Sequence, residues 1–149
     1  MVVMRLHRVG VLVLIVVSVA LVIGVWALQS GMFRIRNHAT VKTVGVEVYW
    51  DSALTQPVTE IDWGYLEPGE NKTVRIYIKS ISNVPSMLAM RTENWQPPEA
   101  EGYIGLSWSY NGIVLNPNDV LPVDLTLSVS PEISGVTNFS FDIVITAVG

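Results

Sequence analysis

Acid–base chemistry in this chain would have to come from carboxylates. The two histidines, His7 and His38, both precede residue 41, and there is no cysteine. From residue 41 onward neither a Ser-His-Asp nor a Cys-His arrangement exists to activate a nucleophile. A zinc site there would need carboxylates alone as protein ligands. Two close carboxylate pairs occur. Glu60 and Asp62, two apart on an expected strand, would share one face. Glu99 and Glu101 flank a loop that contains Pro97 and Pro98. Glycoside hydrolysis needs two carboxyl groups set across a sugar cleft, and no sequence feature marks a cleft beside either pair. Both read as solvated acidic surface. Surface carboxylates and loop carbonyls also suit calcium, but no EF-hand-like spacing is present. The expectation is a chain that is not an enzyme and carries no cofactor or metal.

Binding chemistry has more candidates. Trp95, in the polar, proline-rich run ENWQPP (residues 93–98), would stand exposed near Tyr103. Such a pair is a candidate contact for a sugar ring or a protein partner. The favoured alternative is a loop tryptophan folded over the core. Two N-glycosylation sequons, Asn71-Lys72-Thr73 and Asn138-Phe139-Ser140, make Asn71 and Asn138 candidate glycan acceptors.

The elements that must position these residues show a period of two. Val44, Val46, Val48 and Trp50 alternate with polar or small neighbours, as do Val74, Ile76 and Ile78. The same holds for Ile104, Leu106, Trp108 and Tyr110, for the odd-numbered apolar residues from Leu121 to Val129, and for Phe139, Phe141, Ile143 and Ile145. One apolar and one polar face is the signature of antiparallel strands with a single buried side. A weaker strand is expected over residues 86–92, with Leu88 and Met90 inward, and a short one near 58–63. Turn signals separate them, Asn111-Gly112 being the strongest hairpin turn because both residues tolerate positive φ. Pro122, lacking an N–H, should begin its strand or lie on an edge. About seven strands without a helical pattern point to an all-β, Ig-like antiparallel sandwich over residues 41–149. In that register Trp50 and Trp108 are core, Trp63 plugs one end, and Lys42, Lys72 and Lys79 point outward.

Ahead of the sandwich lies residues 9–28, VGVLVLIVVSVALVIGVWAL, without a charge. At about 1.5 Å per residue a helix of this length spans roughly 30 Å, the thickness of a bilayer's hydrocarbon core. The lipid bilayer is therefore an expected partner of residues 9–28, as a single transmembrane helix. Residues 1–8 form a short basic tail with Arg5 and Arg8, and residues 29–40 read as a juxtamembrane linker. The short basic tail and the sequons favour a signal-anchor at the cell membrane, single-pass, with the C-terminal domain outside. The apolar run exceeds an ordinary signal peptide, and residues 25–27 make a mediocre cleavage site, so an uncleaved anchor is expected. Ala20 and Gly24 are spaced for close helix packing.

From residue 41 the chain carries five basic and thirteen acidic residues, a formal net of −8. Phosphate backbones would repel it, so no nucleic acid is expected as partner. The lack of cysteine excludes a disulfide framework and leans toward a prokaryotic envelope protein.

Residues 61–78, IDWGYLEPGENKTVRIYI, carry a short apolar strand, a Gly, a Leu, Pro-Gly and then an alternating strand. This stretch resembles the CARDB-type and related Ig-like domains of archaeal and bacterial surface proteins, and is similar to the TasA/camelysin family of envelope fibres. Residues 41–146, including VGVEVYWD, LSWSYNG and SPEISGVTNFSFDI, look like small archaeal membrane proteins with one N-terminal helix. The resemblance implies an extracytoplasmic role at the cell envelope, structural, adhesive or protein-interacting, with an envelope protein, a glycan or self-association as the contact. The TasA likeness implies an alternative: a secreted filament subunit that, after signal cleavage, donates residues 41–50 to a neighbour's sheet edge.

Overall fold

A computed structural model of the protein describes residues 35–149. The expected tail at residues 1–8, the expected transmembrane helix at 9–28 and the first part of the expected linker lie outside the described residues. Eight strands form, in chain order: β1 (Ile35–Val44), β2 (Val46–Tyr49), β3 (Glu60–Leu66), β4 (Asn71–Ser80), β5 (Met87–Gln96), β6 (Ile104–Trp108), β7 (Val120–Val129) and β8 (Asn138–Val148). A 3₁₀ turn, Pro98–Gly102, links β5 to β6. The strands make two four-stranded sheets, β3-β1-β8-β5 and β2-β4-β7-β6, packed as a sandwich.

The alternation is realised most fully in the interior strands. Ile76 and Ile78 of β4, Val123, Leu125, Leu127 and Val129 of β7, and Phe139, Phe141, Ile143 and Ile145 of β8 are all buried between the sheets. In β6, at a sheet edge, Ile104 is buried, while Leu106 and Trp108, and Tyr110 just past the strand, are only half-buried against the core. Trp108 thus keeps its inward register without being enclosed. Pro122 pairs with Tyr77 of β4, while β6 pairs with β7 only as far as Leu125. Pro122 therefore faces no strand on its β6 side, a local edge within an interior strand, and β7 begins two residues before it.

Three expectations need correction. First, the sandwich starts inside the stretch read as linker. β1 runs from Ile35 and buries Ile35, Asn37 and Ala39. A polar residue at an inward position hid this strand. Asn37 lies beside the backbone irregularity at Gly64, where its Nδ2 donates to the Gly64 carbonyl at 3.2 Å. Second, residues 44–50 are not one strand. Gly45 takes φ +73°, and the chain passes there from one sheet to the other. The inward phase flips, from odd numbers in β1 to even in β2, so Val46 and Val48 are buried while Val44 is 63% exposed. Trp50, expected in the core, lies past the end of β2 and is 36% exposed. Third, not every neighbour is antiparallel: β1 pairs in parallel with β8, from Arg36 with Asn138 to Val44 with Thr146.

One further difference is local. Asn111-Gly112 does not close a tight hairpin, because the chain between β6 and β7 extends through Leu115, which is buried and bridges Ser86. Trp63, on β3, is wholly buried and belongs to the core.

Candidate functional site

Trp95 does not stand in solvent. β5 continues through it to Gln96, which carries the indole inward to 7% exposure. The ring stacks on Phe141 with centroids 4.2 Å apart, and Nε1 donates to Thr92 Oγ1 at 3.3 Å. Tyr103, just past the 3₁₀ turn, is half-buried against the same core. Residues 93–103 therefore offer little free aromatic surface, and the alternative of a tryptophan folded over the core holds. Trp95→Ala is expected to lower stability by about 3 kcal/mol, the low end for truncating a core aromatic. A urea midpoint equal to that of the parent chain would place the indole outside the core.

The carboxylate pairs sit as acidic surface. Glu60 and Asp62 are exposed on one face of β3, and Asp62 accepts from the Gly64 amide at 2.8 Å. Glu99 and Glu101 lie on the 3₁₀ turn, both exposed. Among the described residues no group of three or more His, Asp or Glu is placed to hold a metal ion. Both sequon asparagines are exposed at strand starts, Asn71 on β4 and Asn138 on β8. Lys72, expected outward, is half-buried, and its Nζ donates to the Trp63 carbonyl at 2.5 Å.

Each sheet carries an ion-paired cluster on its outer face. On the first, Lys42 Nζ bonds Asp142 Oδ2 at 2.5 Å and lies 3.7 Å from Glu93, while Asn94 Nδ2 donates to the same Asp142 oxygen at 2.7 Å. On the second, Arg75 grips Asp124 with two bonds of 2.7 and 2.8 Å. The donors from Asn94 and Lys42 hold the Asp142 carboxyl below its ordinary value of 3.8, and Asp142 in turn raises Lys42 above 10.5. Asp142 therefore contributes stability above its unfolded-state pKa, and loses it as pH falls through the lower folded-state value. Lys42 contributes fully below its unfolded-state pKa and loses its part as pH rises through the higher folded-state value. Across neutral pH the cluster is constant. Asp142→Asn should flatten the acid limb, so that the urea midpoint falls less between pH 6 and pH 3 (about the carboxylate range) than in the parent chain. Equal falls in both would remove Asp142 from acid sensitivity.

The surface that stands apart is apolar and was not read from the sequence. Of ten large hydrophobic side chains exposed among the described residues, only Trp50 and Tyr65 lie elsewhere. The other eight gather where β1, β4 and β8 end and β5 and β7 begin. Met87 pairs with Val148, and Val44 with Thr146 beside it. The Ile81 amide donates to the Gly45 carbonyl at 3.1 Å, and Val84 packs against Gly149. Ile113 and Val114 lie on the β6–β7 connection, which is tied to β5 through Ser86 with Leu115 and through Tyr110, whose hydroxyl donates to the Ile113 carbonyl and accepts from the Leu88 amide. Residues 80–90 and 102–118, which supply the two loops of this tip, contain no charged side chain. Those uncharged runs were the available signal. Asp119 at the margin is held by the Asn116 amide and Nδ2. The opposite end, where the chain enters at Ile35, carries Glu67, Glu70, Glu99, Glu101 and Glu132 and both sequon asparagines.

A scan against protein-family models and a search of curated proteins found no match.

Proposed function

We propose that the protein is a membrane-anchored, extracytoplasmic Ig-like β-sandwich with a non-enzymatic structural, adhesion or protein-interaction role at the cell envelope. The observation that carries this reading is the apolar tip, whose two loops carry no charged side chain. Contiguous exposed apolar surface marks contact sites, and depletion of charge distinguishes the centre of an interface. Anchoring rests on residues 9–28, and the outside orientation on the basic tail and the two sequons, both of whose asparagines are exposed. The described titratable side chains that carry shifted pKa values owe them to surface hydrogen bonds and ion pairs rather than to a shared cleft.

Two measurements test the reading. Because the chain lacks cysteine, Glu101→Cys supplies a single thiol, which a membrane-impermeant maleimide should label on intact cells. Labelling only after permeabilisation would reverse the orientation. A Val84→Glu, Met87→Glu double variant should keep its unfolding midpoint, both side chains being half exposed, and lose the high-mass complexes trapped by formaldehyde in native membranes. Unchanged complexes would remove the tip from function.

A second reading, a secreted filament subunit, draws on one feature. β1 is the first described strand, sits between β3 and β8, and is set off from the rest by Gly45. In that reading the donated segment is Ile35–Val44 rather than residues 41–50, and it fills the interior of a sheet rather than extending an edge. N-terminal sequencing of the native protein separates the readings: a start near residue 28 favours the filament, an intact N-terminus the anchor.

A further inference from the structure

The tip is also suited to a particular occupant. Resting on the reading of the tip as a contact surface, we infer that two copies of this chain meet tip to tip across a two-fold axis. The argument is one of charge and solvation. From residue 41 the chain has a formal net of −8, so most ways of bringing two copies together set acids against acids. The exception is the tip, whose two loops carry no charge and whose marginal charges are a Lys79–Glu47 pair and Asp119, so two copies meet there with little repulsion. A head-to-tail contact would press the five glutamates of the opposite end onto apolar side chains whose nearest cations, Lys79 and Lys42, are already paired with Glu47 and Asp142, and desolvating them there is costly. The outer sheet faces carry the Lys42–Asp142 and Arg75–Asp124 clusters and are equally poor matches for an apolar surface. The tip's best complement is itself, which is the condition for an isologous interface.

Composition agrees. A bilayer surface suits the tip less well. Interfacial contacts use Lys and Arg toward anionic headgroups and Trp or Tyr at the boundary, whereas the exposed tip side chains are Val, Ile and Met. The exposed sequon asparagines stand at the far end, so glycans on them would leave the tip bare.

The test uses the full chain in native membranes and its freedom from cysteine. Val84→Cys and Met87→Cys, made singly, are treated with a short bis-maleimide. The expected result is a chain–chain product at twice the monomer mass for each, and none for Glu101→Cys at the opposite end. Adding Ile113→Asp to Met87→Cys should cut that product by about tenfold or more, since a carboxylate buried without a partner opposes association. Three results would overturn the inference. The first is tip cysteines that crosslink no more than Glu101→Cys. The second is tip cysteines that join the chain only to a different protein, which would leave the contact reading standing. The third is quenching of a bimane on Met87→Cys by nitroxide-labelled lipid, making the occupant a membrane. If, separately, the Val84→Glu, Met87→Glu variant kept every complex, the contact reading itself would fail.

Discussion

Trp63→Ala is expected to destabilise the sandwich by about 3–5 kcal/mol, the range for removing a buried aromatic and leaving its space unfilled. Trp63 is wholly enclosed, on β3 beside β1, and stands among the largest side chains in the core. Such a loss is a large fraction of the stability of a domain this size, so part of the population should be unfolded at 37 °C. Trp63→Phe should cost much less. It retains most of the volume and removes an indole Nε1 that has no hydrogen-bond partner in the protein, relieving a buried donor. Trp50→Ala is the control, since its ring is already 36% exposed and lies beyond the end of β2. Urea midpoints for the three variants decide the matter. Equal shifts for Trp63→Ala and Trp50→Ala would mean that the core is not where the fold places it.

Gly45→Val should cost about 2–4 kcal/mol, combining left-handed backbone strain in a β-branched residue with overpacking. Gly45 holds φ +73°, and a Cβ added there would lie 3.0 Å from the Ala147 Cβ. Neither problem has a cheap escape. Relaxing φ would misdirect the passage between sheets, and moving Ala147 would disturb β8, which pairs with β1 and β5. Gly105→Ala provides the comparison, because nothing lies within 4 Å of its added Cβ and its φ is ordinary. Thermal or urea unfolding should show a large shift for the first and almost none for the second. A silent Gly45→Val would mean that the sheet-to-sheet passage does not depend on a left-handed residue.

Gly45 also shows how far the chain can be read without coordinates. In β4, β7 and β8 the inward residues were legible directly, because an interior strand with one buried face must place an apolar side chain at every second position. The lack of histidine and cysteine beyond residue 41, and the acid excess there, were equally plain. Residues 44–50 misled because Val44, Val46, Val48 and Trp50 keep one phase across the glycine. Alternation records which residues share a side of a continuous strand, and it cannot show that the strand changes sheets. β1 was missed for the converse reason. Asn37 occupies an inward position and finds its partner, the Gly64 carbonyl, only when β3 lies alongside.

The candidate site divides along the same line. Trp95 looked exposed because its neighbours are polar or proline, and local polarity is all a loop reading has. Phe139 and Phe141 beneath it come from a strand more than forty residues away. The apolar tip was invisible as a unit because Val44, Val84, Met87, Ile113 and Val148 are scattered along the chain, and exposed apolar residues taken singly carry no message. What the chain order determined was local: strand phase, the charge balance, the uncharged runs at 80–90 and 102–118, and the apolar segment at 9–28. What the tertiary structure alone decided was which of those pieces meet. Sheet membership, the parallel pairing of the first and last described strands, and the gathering of the tip all depend on contacts between residues remote in sequence, which no local period encodes.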